Sequence, residues 1–399
     1  GVSKEGVYTP MPKENVKFIL SENTVQEIDQ STGEVMLVVE QYNQRQLGSI
    51  KVQVQGEYLE EVNTIENGVE VQYEKRGIPN TTFELYAKED IESPDGQGEI
   101  LYQKDEKIAT ITSNENGICY IDNLPLGEYY IKQTEAGEGF VLNTEQKDIS
   151  LPYVGDKEAI SYAEVSYENE RQKIQIVLEN KDSQTQENIQ GGTFGIYTQE
   201  EISYQTSTGE TIVIPADTLM SVQTVTEEGK IEWSPTQNID LQLGNYQIKQ
   251  IKAPDGYASS EEVIVVEGNY QGQDIATIER KVTFENDITK LRIQLQDRET
   301  EQGLAEATLR IVNEEGQTIY SWTTDQTGEV LYKGLIYGNN YTLEVVTPRV
   351  GYEKTLYSQN HAGDISHEQN EQGNIVFSIQ DSMEEQTLIV ANLAKVGSI

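Results

Sequence analysis

Apolar and polar residues alternate along most of the chain, in short runs separated by turn-forming residues. The clearest case is residues 117–140, GICYIDNLPLGEYYIKQTEAGEGF, in which two alternating runs flank a Leu-Pro-Leu-Gly turn. A period of two places successive side chains on opposite faces of a strand, so this stretch predicts a β-hairpin. Helical periodicity is nearly absent from the sequence. The pattern therefore predicts an all-β protein.

The hairpin stretch is part of a longer repeat. Two more divergent copies follow, GKIEWSPTQNIDLQLGNYQIKQIKAPDGY at 229–257 and GEVLYKGLIYGNNYTLEVVTPRVGY at 328–352. The asparagines that end the last predicted strand of each copy, Asn169, Asn286 and Asn392, recur about every 110 residues. This period is longer than that of solenoid repeats and is typical of tandem globular domains.

Each copy holds about seven short predicted strands divided by turn signals, which is the pattern of a β-sandwich. We expect three sandwich domains at residues 48–170 (unit 1), 171–287 (unit 2) and 288–399 (unit 3). Residues 1–47 are expected to form either the C-terminal half of a further copy or separate N-terminal strands. The joints between units are short and lack Gly/Ser tracts, so the tandem is expected to be an elongated, semi-rigid rod.

The charge balance narrows the possible partners. The chain has 68 Asp and Glu residues against 29 Lys and Arg residues, a formal net charge of −39 that is spread along its length. Nucleic acid is excluded, because a phosphate backbone requires clustered cationic side chains, and so is an anionic membrane surface. No apolar run approaches the roughly 18 residues that a membrane span needs. The balance favours a soluble, self-repelling particle.

Few residues are candidates for chemistry. The single cysteine, Cys119, lies in a predicted strand, where a small buried side chain is favoured over a nucleophile. His361 and His367 lie beside Asp364 and Glu368 and form a weak candidate metal site, but their spacing matches no zinc motif and a solvated loop is favoured. No cofactor-binding or catalytic motif occurs elsewhere, so neither a cofactor nor an enzyme activity is expected.

Several of these pieces together resemble the prealbumin-like B-type domain of Gram-positive collagen-adhesin and SpaA-like surface proteins and pilins. The matching pieces are the opening strand, the strand TTFELY at 81–86 and GGTFGIY at 191–197, and the box YYIKQTEAGEGF at 129–140 and YQIKQIKAPDGY at 246–257. The resemblance covers residues 48–399, with the closing half of a further copy at 7–46. It implies a transthyretin-like sandwich in a cell-wall-anchored stalk or adhesin.

The resemblance also implies a self-forming isopeptide bond. In such domains a lysine on the first strand attacks the side-chain amide of an asparagine on the last strand, and a buried glutamate in the box assists. An apolar core lowers the pKa of the lysine, so that its amine is a neutral nucleophile. The same core keeps the glutamate protonated, so that it can polarise the amide carbonyl.

In this sequence two of the three positions are changed. The asparagine position is kept, as Asn169, Asn286 and Asn392 and as Asn43 in the partial copy. The glutamate position holds Gln133, Gln250 and Val345, and the lysine position holds Val54, Asn180 and Leu295. The nearby lysines Lys51, Lys181 and Lys290 stand at odd offsets, which on a regular strand points them to the opposite face unless a bulge intervenes. We therefore expect the three units to lack the cross-link.

These observations predict a non-enzymatic stalk segment of a bacterial cell-surface protein. It would project a binding region from the cell wall, with its anchor outside this chain and other domains of the same protein as partners. The alternative is an adhesin that binds a host extracellular-matrix protein or a glycan, through Tyr-rich strands, an exposed sheet edge or a long loop predicted at 198–228. An enzyme, such as a carbohydrate-active one, is the third interpretation.

Overall fold

The computed structural model describes residues 26–28, 31–32, 35–37, 45–155, 157–359 and 365–395. Over these residues it consists of strands and connections, without a helix, which confirms the predicted all-β fold. Two short antiparallel strands lie near the N-terminus, β1 (Gln26–Ile28) and β2 (Val35–Leu37). Asn43 lies outside the described residues.

Unit 1 contains ten strands. They are β3 (Leu47–Ile65), β4 (Gly68–Gly77), β5 (Thr82–Ala87), β6 (Ile91–Glu92), β7 (Ile100–Tyr102), β8 (Lys107–Thr112), β9 (Ile118–Leu124), β10 (Gly127–Glu135), β11 (Lys147–Leu151) and β12 (Ile160–Asn169). The prediction of a β-hairpin at 117–140 was wrong: both strands form, as β9 and β10, but β9 pairs with β3 and β10 pairs with β5 and β11, in different sheets of the sandwich. The chain therefore crosses between the two layers at the Leu-Pro-Leu-Gly turn.

Units 2 and 3 repeat this arrangement. Unit 2 contains β13 (Lys173–Asp182), β14 (Thr193–Thr198), β15 (Ile202–Gln205), β16 (Thr211–Ile214), β17 (Leu219–Thr224), β18 (Lys230–Trp233), β19 (Gly244–Lys252), β20 (Val263–Gly268) and β21 (Thr277–Asn286). Unit 3 contains β22 (Lys290–Asp297), β23 (Thr308–Val312), β24 (Thr318–Thr323), β25 (Glu329–Lys333), β26 (Tyr341–Thr347), β27 (Tyr352–Ser358), β28 (His367–Gln369), β29 (Ile375–Phe377) and β30 (Glu385–Ala394).

The three units share one topology. The first strand of each unit lies between the last strand, which is parallel to it, and an antiparallel strand: β3 between β12 and β9, β13 between β21 and β18, and β22 between β30 and β25. In the facing sheet, β5, β14 and β23 are the central strands, each flanked by two antiparallel neighbours. Alternating side chains of both sheets meet between the layers and form one hydrophobic core per unit.

One element crosses from unit 1 into the core of unit 2. Residues 57–75 of the β3–β4 pair, here called the clasp hairpin, extend beyond the sandwich of unit 1, and a bulge between Leu59 and Glu61 marks the departure. The side chains of Leu59 and Val69 are buried among the core residues of unit 2. Since Gly68 pairs with Ser221 of β17, the sheets of the two units are continuous.

A glycine is required where the clasp hairpin meets β17. Gly68 has a φ of 139°, and a Cβ at this position would lie 2.2 Å from the backbone oxygen of Met220. Any other side chain would push the hairpin away from the strand that it joins. The boundary between units 1 and 2 in sequence is thus bridged by a backbone contact in space.

The segment predicted as a long loop at 198–228 is structured, and that prediction was wrong. It contains the antiparallel pair β15–β16 and the sheet strand β17. Ile202 and Ile214 of the pair lie in the core of unit 2. The backbone of Ser207, in the turn between β15 and β16, donates a 2.8 Å hydrogen bond to the Glu60 carboxylate. The β15–β16 pair therefore also contacts the clasp hairpin. Turn-forming residues around Gly209 suggested a loop, but the apolar residues on either side form strands.

The joint between units 1 and 2 is built on a buried arginine. Arg171 forms an ion pair with Asp240, and its guanidinium lies 3.8 Å from the ring centroid of Tyr73 on the clasp hairpin. The Tyr73 hydroxyl donates a 2.8 Å hydrogen bond to the Asp240 carbonyl oxygen. Burial lowers the pKa of Arg171 and raises the pKa of Tyr73 to about 12. The charge is therefore held by a carboxylate and an aromatic face from both units.

The joint between units 2 and 3 rests on fewer polar contacts. The buried Thr289 hydroxyl of unit 3 donates a 3.1 Å hydrogen bond to the Gly256 carbonyl oxygen of unit 2. The backbone of Ser259 in unit 2 donates a 2.8 Å hydrogen bond to the Asp381 carboxylate in unit 3. Both contacts join a residue of unit 2 to one of unit 3.

Candidate functional site

The strand registers bring the predicted cross-link positions to one place in each unit. In unit 1 Asn169 of β12 pairs with Gly56 of β3, two residues beyond Val54. The same offset relates Asn286 to Asn180 in unit 2 and Asn392 to Leu295 in unit 3. Because side chains two apart share a face, the first-strand position and the asparagine both point into the sandwich. All six of these side chains are buried.

In unit 1 the glutamine and the asparagine form a reciprocal amide pair. Gln133 Nε2 donates to Asn169 Oδ1 at 3.1 Å, and Asn169 Nδ2 donates to Gln133 Oε1 at 2.8 Å. Asn169 Nδ2 also donates to the Val141 carbonyl oxygen at 2.6 Å, and the Asn143 backbone donates to Gln133 Oε1 at 2.7 Å. The buried amide groups are therefore hydrogen-bonded, and neither has a proton to transfer at neutral pH.

Unit 2 repeats this amide pair. Gln250 Nε2 donates to Asn286 Oδ1 at 2.9 Å, and Asn286 Nδ2 donates back to Gln250 Oε1 at 3.1 Å. The Ala258 carbonyl oxygen accepts a further bond from Asn286 Nδ2 at 3.0 Å, as Val141 does for Asn169. The equivalence of the two pairs shows that the box glutamine holds the last strand against the facing sheet.

Asn180 is a buried polar group without a matching partner. Its side chain is fully buried, and among the described residues neither its Oδ1 nor its Nδ2 has a hydrogen-bond partner. It lies beside Gly192, where a Cβ would approach Asn180 Nδ2 to 3.0 Å. An unsatisfied buried amide is costly, so this position weakens unit 2 relative to the apolar Val54 and Leu295 of its neighbours.

In unit 3 the arrangement is reduced further. Val345 and Leu295 are apolar and buried, and Asn392 donates only to the Thr355 carbonyl oxygen, at 2.8 Å. Among the described residues, its Oδ1 is buried and has no hydrogen-bond partner. The asparagine of unit 3 therefore has no amide partner on the facing sheet.

The nearby lysines lie outside the cores. Lys51 forms a 2.8 Å ion pair with Glu164 of β12, and Lys181 lies 3.6 Å from Glu179 on its own strand. The parallel registers run without a shift from Leu47 to Gly56, from Lys173 to Asp182 and from Lys290 to Asp297. No bulge within these paired segments turns a lysine inward.

The sequence analysis missed a second pairing at the end of the first strand. Tyr352 donates a 2.6 Å hydrogen bond to Asp297 Oδ2 in unit 3, and Tyr257 donates to Asp182 Oδ2 at 3.1 Å in unit 2. In unit 1 the tyrosine is replaced by Phe140, and a Cβ on the facing Gly56 would lie 2.3 Å from its ring. This Asp–Tyr pairing could have been predicted from the sequence, because an Asp at the end of the first strand and a Tyr at the end of the box both recur in units 2 and 3.

These contacts keep the two aspartates ionised. The Tyr352 hydroxyl, followed by the backbone N–H groups of Thr300 and Glu299, holds the pKa of Asp297 below its ordinary value against the opposing effect of burial. Burial also opposes ionisation of Asp182, but the Thr185 and Gln184 backbone N–H groups outweigh it and lower the pKa. Both carboxylates therefore cap the turn that follows the first strand.

The other candidate residues are placed as follows. Cys119 packs in the core of unit 1, and burial raises the pKa of its thiol to about 11, so the thiol is neutral. His367 lies with Nδ1 2.6 Å from the Ile365 carbonyl oxygen and Nε2 2.6 Å from the Ser358 hydroxyl. His361 lies outside the described residues. Within the described residues, no group of three or more His, Cys, Asp and Glu side chains could hold a metal ion.

The resolved pKa shifts of the carboxyl groups can be compared with what glycoside hydrolysis requires. Within the described part of the chain, every carboxyl group whose pKa clearly departs from its ordinary value is shifted downward: Glu84, Asp148, Glu179, Asp182, Asp217, Asp297, Asp325 and Glu385. A general acid for that reaction requires a raised pKa.

The described residues also contain no helix long and apolar enough to span a membrane.

The comparison with protein families agrees with this geometry. The model of the SpaA prealbumin-like fold domain matches the chain three times, at residues 69–165, 174–281 and 289–381. The chain belongs to this family, and the resemblance stated from the sequence is confirmed. A search of curated proteins found no match.

One of the matching solved structures shows the same fold. The Bacillus anthracis TIE protein superposes with a TM-score of 0.52 at 20% identity, over 88% of this chain and 51% of that one. The chain therefore spans about half the length of that relative. BcpA, the major pilin subunit of Bacillus cereus, matches at 10% identity over 87% of this chain and 99% of its own, with a TM-score of 0.38. The full-length major pilin SpaD from Corynebacterium diphtheriae matches at 15% identity over 88% and 98%, with a TM-score of 0.31.

Proposed function

We propose that the chain is a non-enzymatic stalk segment of an extracellular, cell-wall-anchored protein, in which three sandwiches transmit load and hold a binding region away from the cell. The observation that carries the proposal is the joint between units 1 and 2, where Leu59 and Val69 of one unit are buried in the core of the next. Such a joint favours a fixed orientation over free rotation. The net charge of −39 would keep neighbouring stalks apart.

The proposal includes the absence of isopeptide bonds in the three units. At the first-strand position, Val54 and Leu295 provide no nucleophile, and the amide of Asn180 is not basic. At the box position, Gln133 and Gln250 are hydrogen-bonded amides and Val345 is apolar. The geometry thus retains the packing role of these positions without the groups that the condensation needs.

Intact-mass measurement on the purified chain tests this part of the proposal. The expected mass is that of the sequence, whereas each isopeptide bond would lower it by ~17 Da through loss of ammonia. A variant with Asn169→Ala, Asn286→Ala and Asn392→Ala is the control, because it cannot form the bond at these positions. A mass deficit in the parent chain that disappears in this variant would contradict the proposal.

A direct adhesin is the second candidate, and an exposed aromatic surface favours it. Tyr162 on β12 is 74% exposed and Tyr120 on β9 is 56% exposed. Both strands pair with β3, so the two rings lie on the outer face of one sheet, with the Lys51–Glu164 ion pair beside them. Exposed rings next to hydrogen-bonding groups suit a glycan, which stacks on the ring and bonds at its edges.

A glycan array probed with the purified chain tests the adhesin candidate. Binding that is lost in the Tyr120→Ala, Tyr162→Ala double variant, and retained when the 95% exposed Val350 is changed to alanine, would support it. An array without binding, or with binding that ignores both tyrosines, would leave the stalk as the only supported function.

A further inference from the structure

The edge strands of the sandwich sheets differ in charge. In the part of the chain that the structure describes, the strands bordering these sheets carry at least one charged side chain, with the exception of β24. β24 reads Thr-Ile-Tyr-Ser-Trp-Thr and has neither a charge nor a proline. Natural edge strands are usually protected by such residues or covered, because an unpaired edge is a template for another strand.

Unit 2 shows what an uncharged edge of this kind does. Its strand β17, Leu-Met-Ser-Val-Gln-Thr, occupies the place that β24 has in unit 3, since each lies beside the central strand of its sheet. The outer edge of β17 receives the clasp hairpin, through the pairing of Ser221 with Gly68 and a 3.0 Å hydrogen bond from the Val222 backbone to the Asn67 carbonyl oxygen. An uncharged edge in this position is thus a binding site for a foreign strand within the same chain.

The corresponding edge of unit 3 has no second partner strand in the described part of the chain. Within the described residues, β24 pairs only with β23, and the connection between these two strands is the short turn at 313–317. In units 1 and 2 the same connection spans 88–106 and 199–218 and carries an additional pair of strands. No such insertion covers the edge in unit 3.

The side chains at this edge fit an apolar partner. Tyr320 and Trp322 point inward, with ring centroids 5.4 Å apart, and pack against the core, where unit 2 has Ser221 and Gln223. They close the sandwich beneath the edge and leave Ile319 facing outward, 38% exposed. An added strand would cover apolar surface and also complete the backbone ladder.

We propose that β24 is a docking edge for an extended, basic strand of another protein, with aliphatic side chains at alternate positions. The clasp hairpin provides the precedent, since Val69 and Val71 alternate along β4 and pack on unit 2. Glu314, Glu315 and Asp325 flank β24, and the chain carries a charge of −39, so a second copy is disfavoured and a basic segment is favoured. This inference goes beyond the stalk role, which holds whether or not the edge is occupied.

Hydrogen exchange with a defined peptide tests the proposal. The probe is a synthetic peptide of the β4 sequence, residues 68–77, with Glu70→Lys and Glu74→Lys, added to the full chain. The amides of residues 318–323 are expected to exchange at least about tenfold more slowly at saturating peptide, while those of edge strand β20 stay unchanged. The unmodified peptide, with two carboxylates restored, is expected to protect them less.

Matched variants separate this edge from other exposed strands. Ile319→Lys places a cation on β24 and is expected to abolish the protection. Val265→Lys is the control, because Val265 is 49% exposed on β20 and lies on a different edge. The proposal is overturned if the peptide protects neither edge or both equally. It is also overturned if the chain alone dimerises through β24 and Ile319→Lys makes it monomeric, which would identify a second copy as the partner.

Discussion

The side chains of Gln133 and Asn169 satisfy each other inside unit 1, where a cross-linking domain would carry a glutamate in place of Gln133. Both are buried, with 5% of each side chain exposed. Loss of one partner leaves the other amide buried and unpaired, which is more costly than loss of both. The pair therefore contributes to the stability of unit 1 because each buried amide provides the hydrogen bonds that the other needs, and not through a covalent reaction.

A double-variant cycle tests this interpretation at the residue level. Asn169→Leu is expected to lower the free energy of unfolding of unit 1 by about 1–3 kcal/mol, and Gln133→Leu by a similar amount. The double variant is expected to cost clearly less than the sum of the two. Native-state hydrogen exchange of β10 and β12, the strands that carry the two side chains, measures the change. Strictly additive costs would show that the two amides act independently.

The Asp297–Tyr352 pair makes a pH-dependent contribution in unit 3. The pKa of Asp297 is lowered on folding, so the stabilisation is present above the unfolded value, about 3.9, and is lost as the pH falls toward the folded value. Tyr352→Phe is expected to destabilise unit 3 by about 1 kcal/mol at pH 7, because the carboxylate is partly exposed to water. This cost is expected to shrink as the pH falls below the unfolded pKa of about 3.9, because the Asp297 carboxylate then becomes protonated on unfolding.

Urea unfolding of the parent chain and of the Tyr352→Phe variant at several pH values measures the difference in the stability of unit 3. Phe140→Tyr in unit 1 is the matched control, because Gly56 provides no carboxylate there and no pH-dependent gain is expected. A cost of Tyr352→Phe that stays constant down to pH 3 would contradict the assigned role of the ionised carboxylate.

At the level of elements, the clasp hairpin links the stability of unit 2 to unit 1. Leu59 is 2% exposed and its contacts lie in the core of unit 2. Leu59→Ala is expected to cost about 2–5 kcal/mol, as other large-to-small core changes do. The loss should appear in the exchange of β14 and β19 of unit 2. Val263→Ala, at a 45% exposed site on β20, is the control and should cost little. Unchanged exchange in β14 would contradict the assignment of Leu59 to this core.

The sequence predicted the repeated sandwich because alternation and turn residues are local signals. It could not predict the partner of the clasp hairpin, since the alternating side chains of β3 and β4 show which residues are buried but not which unit buries them. The Gln–Asn amide pairs could have been predicted from the sequence, because Gln133 and Gln250 occupy the same position in a repeated box. Arg171 carried no local signal, since its partners Asp240 and Tyr73 are distant in sequence. The domain boundaries at residues 170 and 287 remain predictions.

At the level of the whole molecule, the two joints between units differ in strength. This difference predicts which units unfold together. Units 1 and 2 share a core and a buried arginine, whereas units 2 and 3 share a few polar contacts. Calorimetry is expected to show one transition for units 1 and 2 together and a separate one for unit 3. Arg171→Met leaves Asp240 without its ion pair and is expected to split the joint transition. Lys333→Met, near the other joint, is the control.

Stretching single molecules by their ends tests the central claim most directly, because the claim is that load passes through hydrogen bonds and packing alone. Without cross-links, every unit can be extended, and residues 45–395 reach a contour length of roughly 1,200 Å at about 3.5 Å per residue. The account predicts that full length, with units 1 and 2 unfolding together and unit 3 apart. A chain that resists extension, or falls short by the length of one or more units, would show covalent links between first and last strands and would contradict the account.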